Sequence, residues 1–269
     1  MAHERELDAA LEAAHQAGVA LQDLYTAFEQ IPDAPAEIST DADRRSQEII
    51  LGMLRRAFPN DAFCAEEQTA GLQGQPATGP RLWVVDPIDG TRGFARKNGE
   101  FSVMVAFVDG GRIGVGVVLE PAKQRLTYAT RGGGCWRRDR KETKASRCFV
   151  SGTDSLANAT LVQSRSTTQP PPPVAALKPA RVVETYSAGI KLALVARGEA
   201  DVYVNTYEAF HDWDICAGHI LVQEAGGRVT GLHGEELRYG EPGAWQRSGL
   251  LATNGVLHQA AVEALKTMK

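Results

Sequence analysis

The sequence predicts an α/β protein, with an α+β arrangement in the first half of the chain and an α/β arrangement in the second. Three observations favour this fold class. Apolar residues recur at helical spacing over about the first sixty residues, strand-like runs follow between residues 82 and 136, and helix-like and strand-like segments alternate after residue 181. We therefore expect an α+β subdomain at residues 1–150 and an α/β subdomain at residues 151–269.

Two amphipathic helices are predicted before the first strand. Apolar residues lie on one helical face from about residue 6 to residue 30, after which a loop with two prolines follows. The second helix begins after Thr40, a residue suited to cap it, and stops before Pro59. Residues 61–65 are then typical of a short strand that leads into Glu66.

The next strand carries the most informative stretch of the chain. Residues 82–85 have the β-branched and aromatic content of a buried strand, and because Pro87 cannot donate to a sheet ladder, the strand is predicted to stop at Asp86. A tight turn then brings Asp89 back beside Asp86, and Gly90 allows a backbone conformation or a close approach that a side chain would block. Two carboxylates held this close repel each other, which favours a hard cation between them over a simple turn.

The later elements are predicted from the same kinds of evidence, which are strand composition, turn residues and helical spacing. A hairpin and two further strands extend the first sheet, at residues 101–108, 113–120, 125–130 and 134–136. The second half alternates strands at residues 182–184, 201–205, 228–230 and 250–254 with helices at residues 188–197, 213–225 and 256–268. Between the halves, the prolines at residues 170–173 predict a polyproline II connector at the surface, with recruitment of a partner protein as the alternative.

Composition restricts the classes of function. The 269 residues are 43% hydrophobic and 23% charged, which is ordinary for a soluble globular protein, and a net charge of −4 argues against nucleic-acid binding. No stretch predicts a membrane span or a signal peptide. The cysteines lack the spacing of a zinc site or a disulfide framework, so we expect a cytoplasmic protein; they are Cys64, Cys135, Cys148 and Cys216.

Further acidic residues stand at the ends of predicted elements. Glu66 follows a strand, Asp43 lies in the first turn of the second helix, and Asp214 opens a helix. Each has a structural alternative, because Asp43 could complete a capping box, Asp214 could favour its helix dipole and Glu66 could be solvated surface. Taken together with the central stretch, they form a candidate oxygen-ligand site for roughly two or three Mg²⁺ ions: Asp43, Glu66, Asp86, Asp89, Asp214 and the carbonyl of Ile88.

Several separated motifs occur in one order along nearly the whole chain. They are Ala65-Glu66-Glu67, Asp86-Pro87-Ile88-Asp89-Gly90-Thr91, Trp213-Asp214 with Ala217-Gly218, and Glu224-Ala225-Gly226-Gly227. This combination resembles the inositol monophosphatase superfamily of Mg²⁺-dependent, lithium-sensitive phosphatases. The resemblance implies the layered αβαβα sandwich shared with fructose-1,6-bisphosphatases, and it implies these metal ligands: Glu66, Asp86, Ile88, Asp89 and Asp214.

The resemblance also implies roles in phosphate-monoester hydrolysis. Thr91 and Asp43 would orient and deprotonate the attacking water, with Glu66 counted in the same catalytic set and no covalent phosphoenzyme. The backbone amides of Gly90 and Thr91 would hold the phosphate. Metal ions would screen the anionic substrate and lower the pKa of the bound water. A homodimer is expected from the resemblance alone.

Two short stretches resemble the branch of the superfamily that removes the 3′-phosphate of adenosine 3′,5′-bisphosphate. They are residues 94–101, with Asn-Gly-Glu-Phe at their end, and Ser187 to Lys191. Ser187 and Lys191 would then bind substrate, with Lys191 facing the second phosphate. The possible helpers, each of which could instead be a solvated basic residue of the loop, are Arg92, Arg96 and Lys97.

Two alternatives to a bisphosphate nucleotidase are a phosphatase with another substrate and a protein without catalytic activity. Inositol monophosphatases usually carry a glutamate seven residues before the metal-binding aspartate of the Trp-Asp pair, and here Tyr207 stands at that position with Glu208 beside it. This difference disfavours inositol 1-phosphate, although inositol-1-phosphate and fructose-1,6-bisphosphate phosphatases remain the alternative enzymes. A non-catalytic module that binds metal or phosphate in the same cleft is the alternative from another class.

Overall fold

Five layers, alternately helical and β-sheet, make up the chain over the residues that the computed structural model describes, which are 3–140, 142–165, 170–207, 210–266 and 268. The outermost layer is a pair of helices, α1 (Glu4–Ala27) and α2 (Asp41–Ala57), which contact each other and one face of the first sheet. Both helices confirm the sequence prediction. Thr40 caps α2 as expected, since its hydroxyl accepts a hydrogen bond from the backbone N–H of Ala42.

The second layer is a seven-stranded sheet in which the strands follow chain order. Only the first pair is parallel and the other pairs are antiparallel, in agreement with the largely antiparallel sheet that the sequence predicts. The sequence missed the last, three-residue strand. In order, the strands are β1 (Ala62–Ala65), β2 (Arg81–Asp89), β3 (Ser102–Asp109), β4 (Arg112–Glu120), β5 (Arg125–Thr130), β6 (Gly134–Asp139) and β7 (Ser146–Cys148).

Strand β2 does not stop at Asp86, so that prediction is wrong. Asp86 pairs with Met104 and Asp89 pairs with Ser102, with a register irregularity between the two pairs. The irregularity takes Pro87 out of the regular ladder, so its missing N–H costs no sheet hydrogen bond. Both carboxylates therefore stand on one continuous strand, and the short helix α3 (Thr91–Ala95) starts directly after it.

The middle layer consists of α5 (Ala188–Ala196) and α6 (Asp212–Glu224), which contact both sheets. Helix α6 lies very close to β4, because a Cβ at Gly116 would come within 2.4 Å of the Ala217 carbonyl oxygen. The fourth layer is a second sheet with strand order β12-β14-β10-β8-β9. Its strands are β8 (Thr160–Gln163), β9 (Arg181–Glu184), β10 (Val202–Asn205), β12 (Arg228–Thr230) and β14 (Leu250–Thr253).

The fifth layer contains α4 (Pro172–Leu177) and α7 (His258–Leu265). Helix α4 corrects the prediction of a polyproline II connector: Pro171 keeps extended angles (φ −58°, ψ 144°), but Pro172 begins a helix and Pro173 is buried. Proline is tolerated there because the first helical turn has no N–H partners to lose. The proline run thus leads into a helix that packs against α7.

Three hydrophobic clusters fill the spaces between these layers. This arrangement confirms the α/β fold class and the αβαβα sandwich. A separate two-stranded ribbon, β11 (Phe210–His211) with β13 (Trp245–Gln246), lies at the start of α6. The four cysteines are free thiols. No described helix combines the length and hydropathy needed to cross a bilayer.

Candidate active site

One cleft of about 680 Å³ gathers most of the residues predicted from the sequence. Its volume lies within the range of roughly 300–1,000 Å³ that is typical of small-molecule sites. Two predicted residues, Asp43 and Ser187, are fully buried and contact cleft residues from behind. The predicted residues that line the cleft are Glu66, Asp86, Ile88, Asp89, Gly90, Thr91, Lys191 and Asp214.

Asp43 and Thr91 form a buried pair between α2 and α3. The Thr91 hydroxyl lies 2.8 Å from Asp43 Oδ1 and 3.0 Å from the carbonyl oxygen of Ile88. The other oxygen, Asp43 Oδ2, accepts hydrogen bonds from the backbone N–H and the hydroxyl of Thr40 at 2.8 and 2.6 Å. Both interpretations of Asp43 therefore hold, because it completes the capping box and also contacts Thr91. Burial raises the pKa of Asp43.

Asp89 joins the two halves of the chain through the N-terminus of α5. Its Oδ1 accepts the backbone N–H of Ala188 at 3.0 Å, and its Oδ2 accepts the N–H of Gly189 at 2.7 Å and the hydroxyl of Ser187. Ser187 is also the N-cap of α5. The structure thus places Ser187 behind a predicted metal ligand, and it is absent from the described residues that line the cleft.

Gly90 has a local reason to be glycine. Its φ of +86° lies in the left-handed region, and an added Cβ would come within 2.7 Å of the Glu100 carbonyl oxygen and 3.1 Å of Ser187. These contacts lie in the protein itself, so the turn after Asp89 requires glycine whether or not a phosphate approaches.

Glu66, Asp86 and Asp214 form a desolvated group of carboxylates. Burial raises the pKa of Glu66 to about 8, with repulsion from Asp214 acting in the same direction. Burial and the neighbouring Glu66 also raise the pKa of Asp86. Burial raises the pKa of Asp214 to about 7, although a hydrogen bond from the His211 backbone N–H opposes the shift.

These residues fit a divalent metal. Two of their oxygens, Glu66 Oε2 and Asp86 Oδ1, are buried without a hydrogen-bond partner in the described part of the chain, a situation that a bound cation would relieve. Hard carboxylate and carbonyl oxygens are the donors that Mg²⁺ prefers. Among the described residues, no three histidine, cysteine or acidic side chains already form a chelating group. Asp89 and Asp214 are instead engaged by backbone N–H groups at the starts of α5 and α6.

A cluster of guanidinium groups lies around Tyr186, and two of its members, Arg92 and Arg165, line the cleft. The Arg165, Arg92 and Arg96 guanidinium carbons lie 5.1, 5.4 and 5.9 Å from the centre of the Tyr186 ring. Arg165 also pairs with Glu100 at 2.6 Å. In contrast, Arg92 Nε is buried with no hydrogen-bond partner within the described residues. We call Arg92, Arg96, Arg165 and Tyr186 the arginine cluster.

Sequence reasoning only partly anticipates this cluster. It names Arg92 and Arg96 as helpers but misses Arg165, which stands in a segment without a motif, and Tyr186, which directly precedes the stretch from Ser187 to Lys191. Lys97 is a wrong candidate, because its ammonium binds carbonyl oxygens near the end of α1, including that of Phe28 at 3.0 Å.

Lys191 lines the cleft and is almost fully buried. Its ammonium donates to Ser164 Oγ and to the carbonyl oxygens of Thr185 and Tyr186, each at 3.0 Å. Burial lowers the pKa of Lys191 to about 8, while nearby Asp89 opposes the shift. All three ammonium protons are engaged, so Lys191 holds the backbone beside the arginine cluster and adds positive charge to the cleft.

Aromatic rings form a third part of the cleft. His211 stacks on Trp213 with a centroid distance of 4.2 Å and an interplanar angle of 8°. The Trp245 ring lies 4.0 Å from His211, while Tyr207 is 57% exposed and lines the cleft with His211 and Trp213. Glu208, the neighbour of Tyr207, lies outside the described residues. Sequence reasoning noted the identity of Tyr207 but assigned it no role.

Comparisons with known proteins agree with this fold. A sequence model described as "Inositol monophosphatase family" matches residues 3–269. A fructose-1,6-bisphosphatase/inositol-1-monophosphatase of Thermotoga maritima is 32% identical over 237 residues, covering 85% of this chain and 82% of the relative. A histidinol-phosphatase of Mycobacterium tuberculosis is 32% identical over 231 residues, covering 84% of each. The solved inositol monophosphatase from Anabaena superposes with a TM-score of 0.80 at 29% identity, covering 100% of this chain and 98% of that one.

Proposed function

The chain belongs to the inositol monophosphatase family, and from this premise we propose that it is a Mg²⁺-dependent phosphomonoesterase whose preferred substrate carries a second phosphate, with adenosine 3′,5′-bisphosphate as the first candidate. The relatives from Thermotoga maritima and Mycobacterium tuberculosis are named phosphatases, so the prediction of an enzyme is confirmed and a non-catalytic module is not favoured. The substrate and the residues that act on it belong to the proposal.

The carboxylate part of the cleft supports hydrolysis at a metal site. Glu66, Asp86, Asp89 and Asp214, with the Ile88 carbonyl, would hold roughly two or three Mg²⁺ ions. When bound, the ions supply charge neutralisation at the phosphate and a lower pKa for water.

The chain itself supplies the route for the proton. Thr91 lines the cleft and is hydrogen-bonded to Asp43. A proton that Thr91 Oγ1 takes from the attacking water can pass to Asp43 Oδ1, since the raised pKa of Asp43 makes its carboxylate a better acceptor.

The arginine cluster is the observation that carries the preference for a bisphosphate. A monophosphate bound at the carboxylate part of the cleft would leave Arg92 Nε buried and unpaired among the described residues. A second phosphate offers planar guanidinium groups the charged oxygens that they bind best. Glu100 offsets only part of the charge, because it pairs with Arg165.

Fructose 1,6-bisphosphate is the second candidate, since it also carries two phosphates and the Thermotoga maritima relative is named for this activity. Inositol 1-phosphate and histidinol phosphate have a single phosphate and would not use the arginine cluster. The two stretches that resemble bisphosphate nucleotidases, at residues 94–101 and 187–191, support adenosine 3′,5′-bisphosphate over the sugar.

Phosphate release from these four esters, with Mg²⁺ and with EDTA, tests the proposal. We expect Mg²⁺-dependent release that Li⁺ inhibits, with the highest kcat/KM for adenosine 3′,5′-bisphosphate. Arg165→Gln should raise KM for this substrate roughly ten-fold while leaving 3′-AMP almost unaffected, because a charged hydrogen bond to phosphate is worth about 1.5–3 kcal/mol.

Arg181→Gln is the matched control, because Arg181 is exposed on β9 and does not line the cleft. It should leave both substrates unchanged. A higher kcat/KM for a monophosphate than for either bisphosphate would contradict the proposed preference.

A further inference from the structure

Tyr207, His211 and Trp213 place three aromatic rings from one short stretch of the chain along a cleft that carboxylates, arginines and the rings of Tyr186, Tyr203 and Phe210 also line. We call them the aromatic wall. The His211 and Trp213 rings are nearly parallel, with an interplanar angle of 8° and centroids 4.2 Å apart. Trp245 supports His211 at 4.0 Å from the neighbouring strand of the ribbon, where the two residues are directly paired. The wall therefore combines a paired ribbon and a helix start, which hold His211 and Trp213, with the loop that carries Tyr207.

The exposure of Tyr207 has no evident benefit for folding. Its side chain is 57% exposed, so burial of this ring contributes little to the core. An exposed aromatic residue inside a cleft is more typical of ligand contact than of packing, because the flat face becomes useful only when another flat group covers it.

The candidate substrates differ in the chemical group that would lie against the aromatic wall. Polyols and sugars present hydroxyl groups on all sides, whereas a nucleotide presents a planar base. Aromatic side chains stack on a base through their π-faces, which tightens binding by roughly ten-fold or more per base. The three parts of the cleft together offer carboxylates for a metal-bound phosphate, arginines for a second phosphate and rings for a base.

We propose that the aromatic wall binds the heterocyclic base of a nucleotide substrate, with Tyr207 as the residue that selects nucleotides over sugar and polyol phosphates. This inference rests on the proposed phosphatase function and concerns the same cleft. Tyr207 is the selecting residue because it is the most exposed of the three rings, whereas His211 and Trp213 are partly buried against each other.

The wall is also connected to the carboxylate part of the cleft. The backbone N–H of His211 donates to Asp214 Oδ2 at 2.6 Å, and Trp213 directly precedes Asp214. A base stacked on the wall would therefore lie against the same helix start that holds Asp214. Tyr207 is outside this hydrogen-bonded turn, so its replacement tests base binding without removing a contact to Asp214.

The experiment compares adenosine 3′,5′-bisphosphate with 2-deoxyribose 3,5-bisphosphate, which lacks the base, in the wild-type enzyme, Tyr207→Ala and Tyr207→Phe. We expect Tyr207→Ala to raise KM for the nucleotide roughly ten-fold with little change in kcat, and to leave KM and kcat for the base-free substrate unchanged. Tyr207→Phe keeps the ring and should behave like the wild-type enzyme with both substrates. The control is Phe149→Ala, which removes an aromatic ring that is 62% exposed outside the cleft-lining set and should change neither substrate.

The outcomes separate the two proposals. If Tyr207→Ala weakens both bisphosphates equally, or if the wild-type enzyme hydrolyses both equally well, the base-binding inference is wrong while a bisphosphatase remains. If the wild-type enzyme hydrolyses neither bisphosphate with Mg²⁺ but releases phosphate from another ester, the proposed substrate preference is wrong.

Discussion

At the scale of single residues, the candidate site depends on side chains with two functions each. Asp43 completes the capping box of α2 and accepts the Thr91 hydroxyl, and Asp214, in the first turn of α6, accepts the backbone N–H of His211 while it lines the cleft. A structural role and a chemical role therefore do not exclude each other. Helix starts hold carboxylates firmly through their free N–H groups, which gives the side chains the fixed positions that catalysis needs.

Thr91→Val should lower kcat by about 10²-fold or more, because it removes the hydroxyl that would hold and deprotonate water while keeping the branched shape. Thr91→Ser keeps the hydroxyl and should retain most of the activity. Steady-state kinetics with saturating Mg²⁺ measure the difference, and thermal unfolding checks that both variants fold. Wild-type kcat in Thr91→Val would show that this hydroxyl takes no part in the reaction.

At the scale of secondary-structure elements, the start of α5 is the clearest link between the two sheets. Asp89 at the end of β2 accepts two backbone N–H groups and one hydroxyl from the start of α5. The sequence predicts both elements, but it could not predict their contact, because the Ser187 and Asp89 partners are 98 positions apart. The end of β2 shows the same limit on prediction from sequence. Pro87 by itself favours the end of a strand, whereas the pairing of β2 with β3 continues to Asp89.

Ser187→Ala should reduce the free energy of unfolding by about 1–2 kcal/mol, because it removes two hydrogen bonds of the Ser187 hydroxyl. This hydroxyl caps α5 by accepting the Ile190 N–H at 3.0 Å, and it donates to Asp89. Urea unfolding measures the loss. Ser155→Ala is the control, since Ser155 precedes a 3₁₀ turn without capping it, and it should change stability by less than about 0.5 kcal/mol. Equal effects of the two substitutions would contradict the assigned cap.

At the scale of the whole molecule, the carboxylates of the cleft lower the stability of the folded protein unless a cation is present. The cleft lies where elements from both sheets end, so these carboxylates are brought together only by folding. A glutamate in the unfolded chain keeps its ordinary pKa of 4.5, whereas burial in the folded protein raises the pKa of Glu66 to about 8. Between these values the folded, metal-free protein binds more protons than the unfolded chain, so its stability falls as pH rises. The raised pKa of Asp214, about 7, acts in the same direction.

Mg²⁺ should therefore raise Tm more at about pH 8 than at about pH 6, because it neutralises carboxylates that are ionised only at the higher pH. Thermal unfolding in EDTA and in Mg²⁺ at the two pH values measures both shifts. Glu66→Gln should raise Tm in EDTA at the higher pH and reduce the Mg²⁺ effect, since it removes one repelling charge. An Mg²⁺ effect that is equal at both pH values would contradict this assignment.

The acidic residues of the cleft, most of the strands and helices that carry them and the fold class can be predicted from the sequence alone. Glu66, Asp86, Asp89 and Asp214 stand in short local motifs, and both helical periodicity and strand composition are local properties that one chain can reveal. Family resemblance then follows from the order of those motifs.

The surroundings of these carboxylates depend on how the chain folds. The arginine cluster combines α3 with Arg165 and Tyr186, and the aromatic wall combines a loop, a ribbon and the start of α6. The members of the arginine cluster are brought together by packing between distant segments, whereas those of the aromatic wall lie within residues 207–213 but carry no motif that marks them as part of a cleft. The physical reason is that a strand or helix depends on neighbours along the chain, whereas a substrate contacts whatever side chains the completed fold places around one cleft.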